Sequence, residues 1–505
     1  MTDHRPLGLF GVFSIAAGAM ISSGLFVLPG VAFAEAGPSV VLAYVIAGAM
    51  VLPSIFAQVE LATAMPKSGG SYLFIERSLG SGLGMVAGLL NWLAITLKAT
   101  FACVGLGGIA VLIHPGSPVW LVKGVALAAV VFFAVLNLFS VRGAGRFQNL
   151  LVLGLIVILG VYVGFGVGKV EGGNFRPFLV GESMLDGLNS LFAVAGMVFV
   201  SFGGMNAAVD VAEEVRQPGR NIPRGMFLSF AVVMILYAVV VLVTVGVLEA
   251  GELTGSLTAV SQGARAVMGT AGLIVVTVAG GLAFATTANG GLMAASRSPM
   301  AMSRDGLLPE FFSKANERFG TPHLAIVVTA SLMALLIVGL SVENLIKTAS
   351  TMLLLMLMLT NVAVLIMRHS GLRNYRPRFR SPLFPWLQWG ALVVYGFLIV
   401  EMGAVPLVLT GLFALGAMGW YLAYVRPRVD RESGFVYLVS RLASHAIRDE
   451  NLERELHHIA LEREGIKPDW FDATVRTCPV LDIDRTLPAR ELFRPLAEAL
   501  APRVG

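Results

Sequence analysis

The chain has 505 residues, of which 56% are hydrophobic and only 13% are charged, and its mean hydropathy is +0.80. Soluble globular domains are about 25% charged, and a water-soluble protein of this size could not bury so much apolar surface. The composition therefore excludes a soluble enzyme, a disordered chain and a collagen-like repeat, and it favours a membrane protein.

Charge is concentrated at the C-terminal end of the chain. Residues 426–505 carry 13 Lys/Arg and 14 Asp/Glu, whereas residues 1–425 carry only 40 charged residues. We therefore predict a transmembrane domain over 1–425 and a soluble tail over 426–505. The first apolar stretch has no small-residue cleavage pattern at its end, so we expect a retained helix and not a cleaved signal.

Twelve stretches are apolar enough for a helix to cross a bilayer core, which takes about 20 residues. They are numbered here as spans 1 to 12 and cover residues 8–34, 38–64, 83–113, 118–139, 146–167, 187–212, 226–248, 270–296, 323–340, 344–367, 386–402 and 405–425. Spans 9 and 11 are short. This pattern predicts an all-α polytopic membrane protein with 12 transmembrane helices.

Basic residues are divided unevenly between the two sides of the predicted membrane. The side that holds both termini carries 17 Lys/Arg of the transmembrane domain, and the opposite side carries five. Because cytoplasmic loops are enriched in Lys and Arg, we expect both termini in the cytoplasm and the domain in the cytoplasmic (inner) membrane. This placement explains the basic balance without a nucleic acid partner. The remaining cation, Lys98, lies inside span 3.

Spans 1 and 6 each carry small and hydroxylic residues at mid-depth. Residues 16–26 read A-A-G-A-M-I-S-S-G-L-F, and residues 200–206 read V-S-F-G-G-M-N. One explanation is close helix packing through small residues. The other, which we favour because these spans correspond in two five-helix halves, is a pair of broken helices that form a midplane binding site. Amides freed at a half-helix start can hold a carboxylate, and freed carbonyls can hold a cation.

Four motifs in order resemble those of the amino acid–polyamine–organocation (APC) superfamily of permeases. Residues 18–26 are similar to its G-x-x-I-G-x-G-I-F, and residues 65–72 (M-P-K-S-G-G-S-Y) to its P-x-S-G-G-x-Y. Residues 213–223 (E-E-V-R-Q-P-G-R-N-I-P) are similar to its E-E-x-x-x-P-x-R-x-I-P, and residues 296–309 to its loop after helix eight. Each motif alone is weak, but the four occur at matching topological places.

This resemblance implies the fold of the leucine transporter (LeuT), in which spans 1–5 and 6–10 form inverted repeats and spans 11 and 12 are peripheral. It implies secondary active transport of amino acids by alternating access, with spans 1, 3, 6, 8 and 10 lining the site. The expected partners are an amino acid and the lipid bilayer. We expect no enzymatic activity, because all seven histidines lie outside mid-span and a membrane-embedded enzyme needs such groups at depth.

The resemblance also places substrate-binding residues. It puts the substrate carboxylate at the amides of Ser22, Ser23 and Gly24, where Ser22 replaces the second glycine of the family motif. It puts the ammonium on carbonyls near Ile21 and on those of Val200 and Phe202. Phe202 is also our candidate aromatic lid, although an ordinary core phenylalanine is the alternative.

Asn206 bears on the class of substrate. Some acid-driven exchangers of the superfamily carry a glutamate at this position, whereas an amide cannot titrate. We also find no carboxylate at mid-depth in the five spans that would line the site. The sequence therefore predicts neutral rather than cationic amino acids.

Two hypotheses for the coupling ion follow from the sequence, and no other cofactor is expected. Sodium-coupled members of the wider fold bind sodium through helix-one carbonyls, a helix-eight carbonyl and a hydroxyl pair, which match Gly18, Ile21, Ala283, Thr286 and Thr287. Alternatively, both threonines bond back to carbonyls of their own helix. Sodium-independent relatives often carry a lysine on helix five, but Gly154 and Leu155 stand there in this chain.

The second hypothesis for the coupling mechanism involves Lys98. A lysine at the centre of a span costs about 3 kcal/mol on insertion scales, which favours a function. Three roles stay open: proton carrier, counter-charge to an acidic substrate, or partner of a carbonyl. A fourth possibility is snorkelling, in which the side chain points outward and its charged end reaches water. Proton-coupled or exchange transport through Lys98 is therefore our alternative to sodium symport, and a nutrient sensor that does not transport is a further alternative.

The tail has an amphipathic pattern. Leu438, Leu442, Leu452 and Leu456 recur at near-helical spacing between charged residues. The segment weakly resembles the opening of phosphotransferase IIA-like regulatory domains. We therefore expect a regulatory or docking tail with a partner in the cytoplasm.

Overall fold

The computed structural model describes residues 7–67, 70–113, 118–139, 144–181, 183–314, 321–370, 372, 375–427 and 434–435. Nearly all of the predicted tail lies outside the described residues. Its helices and its regulatory role therefore stay predictions.

The described part of the chain is built from helices and contains no strand longer than an isolated bridge, between Leu7 and Val215. The helices are α1 (Leu9–Met20), α2 (Ser23–Phe26), α3 (Leu28–Ala36), α4 (Val40–Ala64), α5 (Gly70–Leu79), α6 (Ser81–Ile113), α7 (Val119–Phe139), α8 (Ala144–Gly166), α9 (Met184–Phe202), α10 (Asn206–Asp210), α11 (Pro218–Val247), α12 (Ala250–Leu253), α13 (Ala259–Arg304), α14 (His323–Gly339), α15 (Val342–Ser370), α16 (Trp386–Glu401) and α17 (Ala404–Trp420).

Among the described residues, nine helical segments are long and apolar enough to cross a membrane, and three shorter apolar helices accompany them. All twelve predicted spans lie on helices, with span 1 divided into α1, α2 and α3 and span 6 into α9 and α10. The expected short spans 9 and 11 are α14 and α16, with 17 and 16 residues. The chain is therefore an all-helical polytopic membrane protein.

Two helical features were not predicted from the sequence. The amphipathic helix α5 follows span 2 and begins at Gly70, whose φ of +51° favours glycine and which lies against the carboxylate of Asp210. Helix α13 begins at Ala259, before the predicted start at residue 270, and bends at Gly269 with a φ of +67°. Neither helix start lies within a long apolar stretch, so apolarity alone does not predict it.

Burial separates an inner group of helices from an outer group. In the most apolar 18-residue window, 78% of residues are buried in the segments 184–210 and 342–370, against 22% in 119–139 and 17% in 404–425. The outer helices present apolar side chains such as Phe132 and Leu412, which are 60% and 63% exposed. Such surfaces are expected to face lipid. Span 6 lies toward the interior, as do α1 and α2 of span 1, most of whose residues are buried.

A buried carboxylate ties α4 to α15 near one end of the helices. Glu60 is fully buried and accepts hydrogen bonds from Arg368 Nε and Nη2 at 2.7 and 2.6 Å. It also accepts from the Tyr375 hydroxyl at 3.0 Å and from the Ser381 amide at 2.7 Å. Burial and the Glu60 charge raise the pKa of the Tyr375 phenol, which therefore stays a donor. These contacts give Glu60 a structural role.

Replacing this carboxylate tests the tie. We expect Glu60→Gln to lower the free energy of unfolding by about 3 kcal/mol, because breaking a buried pair leaves the Arg368 charge uncompensated. The measurement is thermal or denaturant unfolding of the purified protein in detergent. The exposed Glu252→Gln variant is the control and should unfold as the wild type does. Equal free energies of unfolding for Glu60→Gln and Glu252→Gln would contradict the structural role of Glu60.

Candidate functional site

Span 1 is interrupted at the predicted place. Helix α1 ends at Met20, and the chain leaves helical geometry at Ile21 (φ −69°, ψ 91°) and Ser22 (φ −154°, ψ −145°) before α2 begins at Ser23. The amides at the start of α2 and the carbonyls at the end of α1 are thereby released from regular helical pairing. The predicted break in span 1 is confirmed.

Span 6 is interrupted in a different way. Helix α9 ends at Phe202, a 3₁₀ turn covers Gly203–Met205, and α10 continues from Asn206. The amide of Gly203 bonds to the carbonyl of Val200, so this predicted ammonium acceptor already receives one hydrogen bond. A carbonyl has two lone pairs, and a second donor can still bind there.

The two interruptions contact each other through glycines. A Cβ atom on Gly204 would collide with backbone atoms of Ala19 and Met20, and one on Gly24 would lie 2.9 Å from Cα of Ser201. Ser201 also donates a hydrogen bond to the carbonyl of Gly24 at 3.3 Å. The mid-span glycines therefore let the two broken helices approach closely.

Three side chains from three other helices bind carbonyls around the break in span 1. Lys98 Nζ on α6 donates to Ala19 O at 2.8 Å, and the hydroxyl of Tyr237 on α11 donates to Met20 O at 2.6 Å. The hydroxyl of Tyr44 on α4 donates to Gly24 O at 2.6 Å. The side chain of Lys98 therefore points inward, and the snorkelling interpretation is wrong.

Neither tyrosine was predicted from the sequence as part of the site. Their rings contact each other edge to face with centroids 5.7 Å apart, and both side chains are buried. A usable signal was present, since a phenol in the middle of an apolar span needs a hydrogen-bond partner. The nearest broken helix is the obvious supplier of free carbonyls.

Phe202 belongs to the same aromatic cluster. It is 1% exposed, and its ring centroid lies 5.3 Å from that of Tyr237 and 6.0 Å from that of Phe230. The ring thus sits beside the break, where a lid residue is expected, and in a packed environment, as the alternative core interpretation requires. Both interpretations of Phe202 stay open.

Ser22 and Ser23 are buried without hydrogen-bonding their side chains. Their residues are at most 1% exposed, and in the part of the chain that the structure describes neither Oγ has a partner. Buried polar groups are normally satisfied. Two unsatisfied hydroxyls at the start of α2 therefore mark a place where a polar ligand would gain hydrogen bonds.

Asn206 lies at the start of α10 and binds another amide. Its Oδ1 accepts a hydrogen bond from Gln58 Nε2 on α4 at 2.6 Å, and Asn206 is 6% exposed. Both residues line a small cavity of about 10 Å³ between α4, α9 and α15, which is about the size of one water molecule. The predicted position is therefore part of a neutral polar contact between spans 2 and 6.

The two threonines predicted as sodium ligands differ: one bonds within its own helix and the other does not. Thr286 Oγ1 donates to Ala283 O at 3.0 Å, as the alternative interpretation requires. Thr287 Oγ1, by contrast, is buried and has no hydrogen-bond partner among the described residues. Helix α13 contacts both α1, which carries the candidate ligand Gly18, and α2, and Ile21 lies in the break between those two helices. One threonine hydroxyl is thus available for an ion, and the other is engaged.

The position expected to hold a lysine in sodium-independent relatives is apolar. Leu155 on α8 is 5% exposed, and a Cβ on Gly154 would meet no atom within 4 Å. No ammonium reaches the break from α8 at these positions. The cation that does reach it, Lys98, comes from α6.

A family model described as "Amino acid permease" matches residues 7–423, which is nearly the whole described chain. The chain belongs to this amino acid permease family. Its membership agrees with a broken-helix site in the interior of an all-helical membrane protein, and it makes the protein a member of the APC superfamily.

Relatives of this permease are named for different substrates. It is 28% identical to the branched-chain amino acid permease BcaP of Bacillus subtilis, over 84% of this chain and 93% of BcaP. It is 30% identical to the vacuolar cationic amino acid transporter 2 of Arabidopsis thaliana, over 72% of this chain and 60% of that protein. It is also 28% identical to a methylthioribose transporter of Bacillus subtilis, over 75% of this chain and 85% of that protein.

Proposed function

We propose that this amino acid permease is a secondary active transporter that moves neutral amino acids by alternating access. Its twelve spans form two inverted five-helix repeats and two peripheral helices in the cytoplasmic membrane, with both termini in the cytoplasm. The observation that carries the proposal is the pair of broken helices in mutual contact, with the unsatisfied hydroxyls of Ser22 and Ser23 beside them.

The substrate backbone binds between the half-helices. The carboxylate accepts hydrogen bonds from the amides of Ser22, Ser23 and Gly24, because a half-helix start presents free N–H groups and a partial positive charge. The serine hydroxyls donate to the same carboxylate and so lose their unsatisfied state. The ammonium binds the carbonyls of Ile21, Val200 and Phe202, because the carbonyl end of a half-helix carries a partial negative charge.

Neutral selectivity rests on the charges near the break. Asn206 and Gln58 form a neutral amide pair, and the ammonium of Lys98 lies 2.8 Å from Ala19 O. A lysine or arginine substrate would bring a second cation toward Lys98, and the amides of Asn206 and Gln58 carry no charge to offset the repulsion. Neutral side chains meet no such penalty.

A ligand screen tests the substrate class. The purified permease is heated with each of the twenty amino acids and with common polyamines, in sodium chloride and in choline chloride. Neutral amino acids should raise the melting temperature, since ligand binding to the folded state stabilises it. Stabilisation by polyamines or cationic amino acids alone would contradict neutral selectivity.

Sodium is our first proposal for the coupling ion. Gly18, Ile21 and Ala283 supply carbonyls and Thr286 and Thr287 supply hydroxyls, which together form an oxygen set that suits a hard cation. The unsatisfied hydroxyl of Thr287 supports this proposal. Sodium would also outcompete the bond from Thr286 to Ala283, which is an ordinary back-bond within a helix.

Replacing Thr287 separates the two coupling mechanisms. If sodium binds here, Thr287→Val should raise the sodium concentration for half-maximal uptake about tenfold, because one of five ligands is lost. Thr277→Val is the matched control, since Thr277 Oγ1 on the same helix is also buried without a partner among the described residues. Uptake that needs no sodium and survives Thr287→Val would favour coupling through Lys98.

The contact of Lys98 with Ala19 favours this second mechanism, in which Lys98 itself couples transport. An ammonium on a carbonyl of the broken helix supplies a positive charge at the break, as a metal cation would. Protonation of Lys98 would then bind α6 to α1, and loss of the proton would release α1 for movement. This mechanism needs a proton or an exchanged amine in place of sodium.

A further inference from the structure

A second cavity lies away from the broken helices, among α7, α13 and α14. Its volume is about 320 Å³, which is within the range of small-molecule sites, about 300–1,000 Å³. The residues lining it include Asn137, Met293, Arg297, Met300, Thr321 and Ile326. They lie at the end of α7, in the last third of α13 and at the start of α14, which is the cytoplasmic end in the proposed orientation.

The cavity has a polar part and an apolar part. Asn137 Nδ2 binds Asn289 Oδ1 at 2.7 Å, and Thr321 Oγ1 binds Leu138 O at 3.0 Å. These bonds hold the ends of α7, α13 and α14 in place around the cavity. Met293, Met300 and Ile326 provide apolar surface of the kind that packs against an acyl chain.

Arg297 is the cation among the residues that line this cavity. It is exposed, and in the described part of the chain it forms no ion pair. Arg304, one heptad further along α13, is exposed and is also without an ion pair there. Arg368, in contrast, is held by the buried carboxylate of Glu60. A guanidinium beside an open cavity favours an anion with several acceptor oxygens, such as a phosphate.

The helices around the cavity carry faces that are expected to meet lipid. On α7 the neighbouring side chains of Leu136 and Phe139 are 42% and 60% exposed, and on α14 those of Leu324 and Val327 are 41% and 49% exposed. An occupant that enters between these faces comes from the membrane rather than from water. Basic pockets between spans on the cytoplasmic side are a known mode of binding anionic lipid headgroups.

We propose that this cavity binds the phosphate of an anionic phospholipid through Arg297, with an acyl chain against Met293, Met300 and Ile326. The lipid would fill the space between α7, α13 and α14 and stabilise their packing. Because the cavity is separate from the broken helices, the lipid is a bound partner and not a transported substrate.

Lipid titration of the delipidated full-length protein tests the proposal. Phosphatidylglycerol, phosphatidylcholine and inorganic phosphate are each added in detergent, and binding is followed by melting temperature and by native mass spectrometry. We expect phosphatidylglycerol to bind and stabilise the wild type, with weaker binding at high salt. Phosphatidylcholine and inorganic phosphate should have little effect.

Variants at one residue then locate the site. Arg297→Gln should weaken phosphatidylglycerol binding about tenfold, as expected for the loss of one charge-assisted contact, whereas Arg297→Lys should retain most of it. Arg265→Gln removes another exposed arginine near the opposite end of α13 and should bind as the wild type does. If Arg297→Gln does not fold, the Arg297→Lys result and the salt dependence still test the charge.

Three results would overturn the proposal. They are unchanged phosphatidylglycerol binding by Arg297→Gln, equal binding of phosphatidylcholine, and inorganic phosphate that binds as tightly as the lipid. The last result would assign the cavity to a soluble anion. None of these measurements needs substrate transport, so they stand apart from the proposed function.

Discussion

Gly204→Ala is expected to reduce transport about 100-fold, because overpacking of about 3 kcal/mol falls on the contact between the two broken helices. The added Cβ would collide with the backbone of Ala19 and Met20, and backbone atoms cannot swing aside as the end of a side chain can. The measurement is initial uptake of substrate by proteoliposomes, normalised to the amount of folded protein.

Two other glycines provide a graded comparison. On Gly203 a Cβ would lie 2.7 Å from Cδ2 of Leu353, which is the flexible end of a side chain, so Gly203→Ala should cause a smaller loss. On Gly290 of α13 it would meet nothing within 4 Å, and Gly290→Ala should transport as the wild type does. Equal activity of the Gly204 and Gly290 variants would contradict the proposed packing of spans 1 and 6.

Lys98→Met is expected to reduce transport between about 10-fold and 100-fold. It leaves the Ala19 carbonyl without its ammonium donor, and an unsatisfied buried polar group costs about 1–3 kcal/mol. The methionine side chain keeps a similar length and apolar stem, so packing changes little. Uptake at saturating sodium and with sodium replaced by choline would show whether the lost step also depends on sodium.

A second lysine offers the matched control for that experiment. Lys123 Nζ also donates to a backbone carbonyl, that of Val338 at 3.0 Å, but on the exposed surface. Lys123→Met should therefore leave uptake nearly unchanged. Full uptake by both variants would contradict the proposed role of the contact between Lys98 and Ala19.

The helix interruptions could be predicted from sequence because their cause is local. Gly18, Gly24 and the pair Ser22-Ser23 weaken helical pairing where they stand, and so do Gly203 and Gly204, as the observed geometry bears out. The helical spans could be predicted for the same reason, since length and apolarity are properties of single segments.

Contacts between helices could not be predicted in this way. The partners of Ala19, Met20 and Gly24 lie on α6, α11 and α4, and their meeting depends on how each helix is rotated. Apolar spans carry little periodic signal for that rotation, because lipid and protein core are both apolar. The same limit hid the bond between Gln58 and Asn206.

Helix α5 was missed for a different reason. It is amphipathic, with Phe74 and Ile75 buried and Arg77 in its last turn, so a search for long apolar stretches passes over it. Its start depends on the positive φ of Gly70, which the sequence shows only as one glycine of a pair. The two helix breaks were therefore predicted correctly, while the side chains that contact them required the structure.

The most direct test of the account is uptake of radiolabelled amino acids by proteoliposomes that contain the purified permease, with the Gly204→Ala protein reconstituted in parallel. We predict that a neutral amino acid from the ligand screen is accumulated by the wild type and competed by other neutral amino acids but not by arginine or spermidine. The Gly204→Ala vesicles should show almost none of this uptake. Binding without any flux in the wild type would make the protein a sensor, and uptake of arginine or spermidine in preference to neutral amino acids would contradict the proposed site.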